Sequence, residues 1–364
     1  MRNVGIPRPG RTQVGSRGSG TLPGRRIGAG VVAAGLLVFG VTACSSSNSG
    51  SSAGRDPSAN TSASTTDVSS VTLNIGDQAG AGEEALLTAA GLIDKLPFKA
   101  HWSDFTSGPP MLQAMGSGSI DIGGVGDAPP VFEASAGGQI AVVSALGTNV
   151  NSAALLVPES SPIKTVAQLK GKTVAVAQGS SANYHLLATL TKAGLTIKDI
   201  TADYLQPAEG EAAFASGHVA AWDIWSPYIE YAEAKYHARV LANGSATGTT
   251  YSFVVASRAA LDNPAKAAAI RDYLKLLDQA YAWVRTHPSA WAATWAKATG
   301  MPASVMLDAV KDDLETPTAI TPAVLSSEQG VANAFSSAGL IPSKIDISDF
   351  AVTTFNNLLS GSSS

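Results

Sequence analysis

From Val71 onward, short apolar runs alternate with longer stretches in which apolar residues recur every three or four positions. That alternation predicts βα units around a largely parallel sheet. The runs predict strands at Val71–Ile75, Ile120–Ile122, Ile140–Ser144, Ala154–Val157, Thr173–Ala177, Thr201–Leu205, Val219–Ala221 and Ser252–Ala256. Helices are expected at Pro110–Met115, Asn183–Ala193 and Glu209–Ala215. The longest helical pattern runs from about Pro264 to Thr286, with Ile270, Tyr273, Leu274, Leu277, Tyr281 and Val284 on one face. Pro288 ends it, and Trp291 and Trp295 open another apolar face, read as core rather than ligand contact.

Two polar joints interrupt this pattern. Pro158-Glu159-Ser160-Ser161-Pro162 is one, and the Gly-rich segment from Asn243 to Thr250 is the other. Together they would enclose an inserted block, giving one lobe from 71–158 plus 250–345, a second from 159–249, and a C-terminal tail at 346–364. Two crossings between lobes would form a hinge.

The first 70 residues follow a different logic. Residues 1–43 carry six Arg and no acid, so the remainder has eighteen basic against 28 acidic residues, a formal −10. Arg25-Arg26 precede the apolar run Ile27–Val41, which is shorter than the ~20 residues of a membrane-spanning helix. The run ends in Val41-Thr42-Ala43-Cys44, which resembles a bacterial lipobox. The reading is a signal peptide over 1–43, with Cys44 lipidated and anchored at the outer face of the cell membrane. Export by the general or the twin-arginine route stays open. Residues 44–70 are dominated by Ser, Ala, Thr, Gly and Asn, too polar to offset chain entropy, and predict a flexible tether.

Charged residues make up 14% of the chain, with an acidic balance, which excludes a nucleic-acid binder of the usual basic kind. A single Cys excludes a disulfide framework or a multi-thiolate zinc site. The five histidines, His101, His185, His218, His237 and His287, are scattered without metal-ligand spacing, and most read as surface or capping residues. No nucleophile elbow, zinc-protease helix, phosphate-binding loop or dinucleotide fingerprint occurs. No catalytic residue, metal or cofactor is therefore assigned.

Three Gly/Ser loops each open a helix: Thr106-Ser107-Gly108-Pro109-Pro110, Gly124-Val125-Gly126-Asp127-Ala128-Pro129-Pro130 and Gln178-Gly179-Ser180-Ser181-Ala182-Asn183. Such loops sit at the carboxyl ends of strands, where free helix N–H groups favour an anion. Each loop taken alone favours a plain helix cap, and Asp127 reads as a cap, so the anion reading rests on the three loops together.

Four stretches resemble a known family, the solute-binding proteins that deliver alkanesulfonates, taurine or nitrate to ABC importers. They are Trp102–Gly123, Gly124–Gly138 with its GDAPP run, Ser161–Leu195 with GSSANY, and Ala212–Glu233. The resemblance implies a two-lobed periplasmic-binding-protein-like fold of type II, a small anion in the interlobe cleft, and a membrane permease with its ATPase as partners. It implies Ser107, Gly108, Gly126, Asp127, Gly179, Ser180 and Ser181 as ligand-facing. Trp222, Asp223 and Trp225 match a W-x-x-W-like stretch, to be weighed against interlobe or core packing. The family's first strand leads into a Gly-aromatic-Gln-basic turn. Here Gly76-Asp77-Gln78-Ala79 keeps only Gly and Gln78, with Gln78 expected to bind the ligand; Asp77, Glu83 or Glu84 could meet a ligand cation such as an ammonium, although the glutamates are better read as first-turn helix acids. The expected function is capture of an alkanesulfonate by a lipid-anchored monomer without catalysis. Taurine- or nitrate-type binding, and an anchored hydrolase or lyase acting on a small anion, are the alternatives.

Overall fold

The chain builds one sheet, leaves it to build a second, and then returns to the first. β1 (Thr72–Gln78), α1 (Glu83–Ala89), β2 (Lys99–Phe105), α2 (Gly108–Gly116), β3 (Ile122–Val125), α3 (Ala128–Ser135) and β4 (Ile140–Gly147) begin lobe 1. Lobe 2 contains β5 (Ala153–Pro158), β6 (Thr173–Val176), α4 (Ser181–Lys192), β7 (Thr201–Tyr204), α5 (Pro207–Ala215), β8 (Ala221–Trp225), α6 (Tyr228–Tyr236) and β9 (Ala238–Asn243). The chain re-enters lobe 1 with β10 (Tyr251–Ser257). There follow α7 (Arg258–Asp262), α8 (Pro264–Val284), α9 (Pro288–Thr299), α10 (Ala303–Asp312), β11 (Thr316–Thr318) and α11 (Pro322–Ala338). This computed structural model describes residues 66–78, 82–248, 251–312 and 314–359. The expected leader, Cys44 and the tether up to residue 65 lie outside the described residues, as does Ala79.

The strand orders are β11-β4-β10-β3-β1-β2 and β7-β6-β8-β5-β9. β1 runs parallel to β2 and β3, and β6 parallel to β7 and β8, as βα units require. The sheets are nevertheless mixed rather than mostly parallel, because β10 is antiparallel to β3 and β4, and β5 is antiparallel to β8 and β9. The reason is the route of the chain. A βα unit returns each strand in the same sense, whereas β5 and β10 arrive by crossing from the other lobe and start at the end where the βα strands finish.

The lobe boundaries differ from expectation as well. β5 pairs with β8 and β9, so it belongs to lobe 2, although 153–158 was expected in lobe 1. The first crossing runs through residues 148–152 and the second between Asn243 and Tyr251. The Pro158–Pro162 joint lies at the far end of β5, where Pro158 pairs with Ala238 at the start of β9. Proline and serine mark a chain reversal there, not a hinge.

Apolar side chains line both faces of each sheet. In lobe 1, Leu73, Ile75, Val254 and Ala256 pack against Ile270, Tyr273, Leu274 and Leu277 of α8 and against Trp291 and Trp295 of α9. Met111, Leu112 and Met115 of α2 cover the other face over Val142, Phe253 and Val255. In lobe 2, Leu155, Val157, Val174 and Val176 meet Leu186 and Leu190 of α4, while Leu156, Trp222 and Ile224 meet Phe214 of α5. α11 bridges the lobes: Val331, Ala332 and Phe335 share a cluster with Ala128 and Val131 of α3 and Leu187 of α4. The described part of the expected tail, residues 346–359, packs on lobe 1, with Ile347 and Phe355 buried and Ala351 bridged to Val142. Val68, expected in the tether, is also buried. No helix among the described residues is long and apolar enough to cross a membrane.

Candidate functional site

The starts of α2, α3 and α4 converge on one cleft between the sheets, lined among others by Gly108, Gly126, Asp127, Ser180 and Ser181. Glycine permits the convergence. A Cβ on Gly108 would lie 2.7 Å from Pro129 Cγ, and one on Gly126 would collide with the Ser181 hydroxyl of the opposite lobe. Gly179 adopts φ +70°, a conformation that favours glycine, and a Cβ there would lie 3.2 Å from the Phe132 ring.

The three helix ends are not equal as donors. The first residues of a helix hold its unpaired N–H groups, but Pro109 and Pro110 of α2 and Pro129 and Pro130 of α3 have none. Asp127 caps α3 by accepting from Ala128 N at 2.8 Å, which uses one more. At α4, Ser180 Oγ accepts from Asn183 N at 3.3 Å and donates to Ala177 O at 2.7 Å. Ser181 and Ala182, the first two residues of that helix, are not proline, so α4 is the richest donor end of the three. Its partial positive charge points into the cleft.

Acids occupy the same cleft. Burial pushes the Asp127 carboxyl up to about 6 against the hydrogen bonds from Ser181 and Ala128. Glu83, buried at the start of α1, accepts from Tyr273 Oη at 2.8 Å. Burial first, then the charge of Asp77, pushes it up to about 8. Glu315, half-buried and also raised by burial, accepts from Tyr281 Oη at 3.0 Å. No Lys or Arg is among the described lining residues. Trp225 and Tyr228 meet edge to face at 6.1 Å on one wall, and Trp291 and Trp295 stack at 5.2 Å on another. The two latter tryptophans are therefore core and cleft wall at once.

Gln78 lines the cleft and donates to Gly124 O at 2.7 Å. Four expected residues do other work. Ser107 is fully buried, and its hydroxyl donates across the lobes to Gln206 Oε1 at 2.8 Å. Gly179 shapes the turn before α4 and is not part of the lining. Trp222 is buried between Phe214 and Tyr228, at 6.0 and 6.3 Å, because its strand position faces the α5 side of the sheet. Asp223 is fully buried and pairs with His185 Nδ1 at 2.9 Å. Asp77 spends its carboxylate on the N–H groups of Gln78, Glu83 and Glu84, and Glu84 is exposed.

His185 departs from the expectation that most of the five histidines are surface or capping residues. It is buried, lines the cleft, and bonds both carboxylate oxygens of Asp223. Burial alone would lower its pKa, but the Asp223 charge and hydrogen bond outweigh that and raise it. Its place one helical turn after Ser181 was the available signal. Glu83, Tyr281, Trp291 and Glu315 reach the cleft from positions up to 232 apart in sequence, and no local motif joins them. The described residues contain no His/Cys/Asp/Glu group that could hold a metal.

Two lobes of mixed sheet, joined by two crossings around a cleft of helix ends, are the architecture of the periplasmic-binding-protein fold. A family profile described as "ABC transporter, phosphonate, periplasmic substrate-binding protein" matches residues 96–282. The chain is 38% identical to the putative aliphatic sulfonates-binding protein of Escherichia coli over 280 residues, covering 76% of this chain and 86% of that protein. Among solved structures it is similar to the alkanesulfonate-binding protein SsuA of Xanthomonas axonopodis pv. citri bound to MOPS, with TM-score 0.74, 32% identity, and coverage of 78% of this chain and 99% of that one. The periplasmic aliphatic sulphonate binding protein SsuA of Escherichia coli gives TM-score 0.68 at 36% identity, covering 77% and 91%. The chain belongs to the substrate-binding proteins of ABC transporters, in their alkanesulfonate branch.

Proposed function

We propose that this protein captures an alkanesulfonate or a close organic anion in the cleft and hands it to an ABC permease driven by its ATPase. The observation that carries this reading is the cleft's combination of helix N-termini with stacked and edge-on aromatics, with no Lys or Arg among its described lining residues. A sulfonate is ionised at any physiological pH and needs donors, not a proton acceptor. Three or four hydrogen bonds to a charged group, at ~1.5–3 kcal/mol each, suffice for capture after the costs of binding. The α4 end supplies dipolar donors, while Trp225, Tyr228, Trp291 and Trp295 suit the organic part. The relatives named above are binding proteins, which supports capture without turnover.

The test is thermal stability of the purified protein against ethanesulfonate, longer alkanesulfonates, taurine, nitrate and sulfate. A ligand at ~100 Kd adds about 2.7 kcal/mol to the native state. A rise with alkanesulfonates and none with nitrate or sulfate is expected, and a flat response to every sulfonate would refute the ligand class. Ligand recovered chemically unchanged separates capture from the hydrolase or lyase alternative. We further propose that lipidated Cys44 tethers the protein to the outer face of the membrane through residues 45–65. Cys44→Ala should then move the protein from the membrane to the soluble fraction, and retention in the membrane would overturn the anchor.

A further inference from the structure

Both crossings join the sheets on one side, through β4 and β10 in lobe 1 and β5 and β9 in lobe 2. β2 and β7 form the opposite edges. β2 lies three strand positions from β10, and β7 three from β5, so at ~4.8 Å per strand each edge stands about 14 Å from the hinge side. Just beyond the carboxyl ends of these two edge strands, Thr106 Oγ1 and Ser107 Oγ donate to Gln206 Oε1 at 2.9 and 2.8 Å. Ser107 is the N-cap of α2, yet its side chain makes no cap bond there. Gln206 is held ready on its own lobe by a reciprocal box at the start of α5. Its side chain accepts from the Glu209 N–H, while the Glu209 carboxylate accepts from Gln206 N at 3.2 Å.

We propose that Gln206 is a latch that holds the two lobes together at the rim farthest from the hinge, and so sets how long a ligand stays rather than which ligand enters. This extends the reading of the cleft as a ligand site and rests on it for residence time. Opening about the hinge separates the far rim most, so these bonds break early in any opening motion. The Ser181–Asp127 contact, which joins the two lobes at the cleft lining, is a separate one.

The test uses the full chain with Cys44→Ser, which removes its one cysteine. Spin labels then go on cysteines placed at the exposed Ser117 and Ser216, one in each lobe. Gln206→Ser keeps a hydroxyl able to cap α5 but is too short to span the cleft. Thr106→Val removes a donor from the other side while keeping its shape. Each should lengthen the interlobe distances of the ligand-free protein and speed ethanesulfonate release, read by tryptophan fluorescence, with the larger effect from Gln206→Ser, roughly tenfold. The double variant should add little to Gln206→Ser alone. Unchanged distances and release rates in Gln206→Ser would overturn the latch. Failure of the unmodified binding site to take ethanesulfonate would refute the ligand reading alone, since the ligand-free distances would still decide the latch.

Discussion

Replacing Glu83 by Gln should change how stability depends on pH. Glu83 is 3% exposed, its Oε2 accepts from Tyr273 Oη at 2.8 Å, and Asp77 adds a like charge nearby. Burial and that charge move its ionisation from 4.5 to about 8. The folded chain therefore holds this proton more tightly than the unfolded one. Its contribution is complete below pH 4.5 and is lost as pH rises to about 8, after which the curve is flat. The full displacement corresponds to about 5 kcal/mol, an upper bound because water and local relaxation soften it. Glutamine keeps an oxygen for Tyr273 and cannot ionise. Urea unfolding of both proteins at intervals from pH 4.5 to 9 measures the difference. The variant should gain on the parent from pH 4.5 to about 8 and then hold a level lead of several kcal/mol to pH 9. Asp127 and Glu230, raised to about 6 and about 7 by burial, slope the parent's curve in the same direction, which is why the gap between the two proteins is the informative quantity. A gap that stays constant with pH would refute the buried, proton-holding Glu83.

Two further predictions concern the cleft. Gly126→Ala places a methyl against Ser181 of the other lobe. If that overpacking of ~1–3 kcal/mol falls on the closed state, ethanesulfonate affinity by titration calorimetry drops about tenfold or more, with little change in Tm. Burial pushes the Asp127 carboxyl up to about 6 in the cleft proposed to take the sulfonate, so sulfonate affinity should fall as pH rises through that value. Asp127→Asn should flatten the profile, and an unchanged slope would place the titrating group elsewhere.

Local pattern carried much of the architecture. The helices at Pro110–Met115, Asn183–Ala193, Glu209–Ala215 and Pro264–Thr286 appear as α2, α4, α5 and α8 with shifted ends, because period and capping residues are short-range properties. Ser180 and Asp127 cap α4 and α3 for the same reason. Strand direction was not legible, since β5 and β10 have the same apolar composition as the parallel strands and differ only in where the chain enters them.

The sequence by itself determined the alternation of elements, the three loops that open helices and the family, since all of these reside in neighbouring residues. Only the tertiary structure decided which of those residues reach the cleft. Trp222 and Asp223 turn inward to Phe214 and His185, whereas Trp225, two positions beyond Asp223, lines the cleft. Glu83, Tyr281, Trp291 and Glu315 join it through packing of distant segments, and Ser107 is claimed by Gln206 from the facing lobe. The physical reason is that at these positions a side chain meets whichever donor, acceptor or ring the fold brings within reach, about 3 Å for a hydrogen bond, and that partner is set by the packing of segments distant in sequence, within a lobe for Trp222 and Asp223 and across the lobes for Ser107.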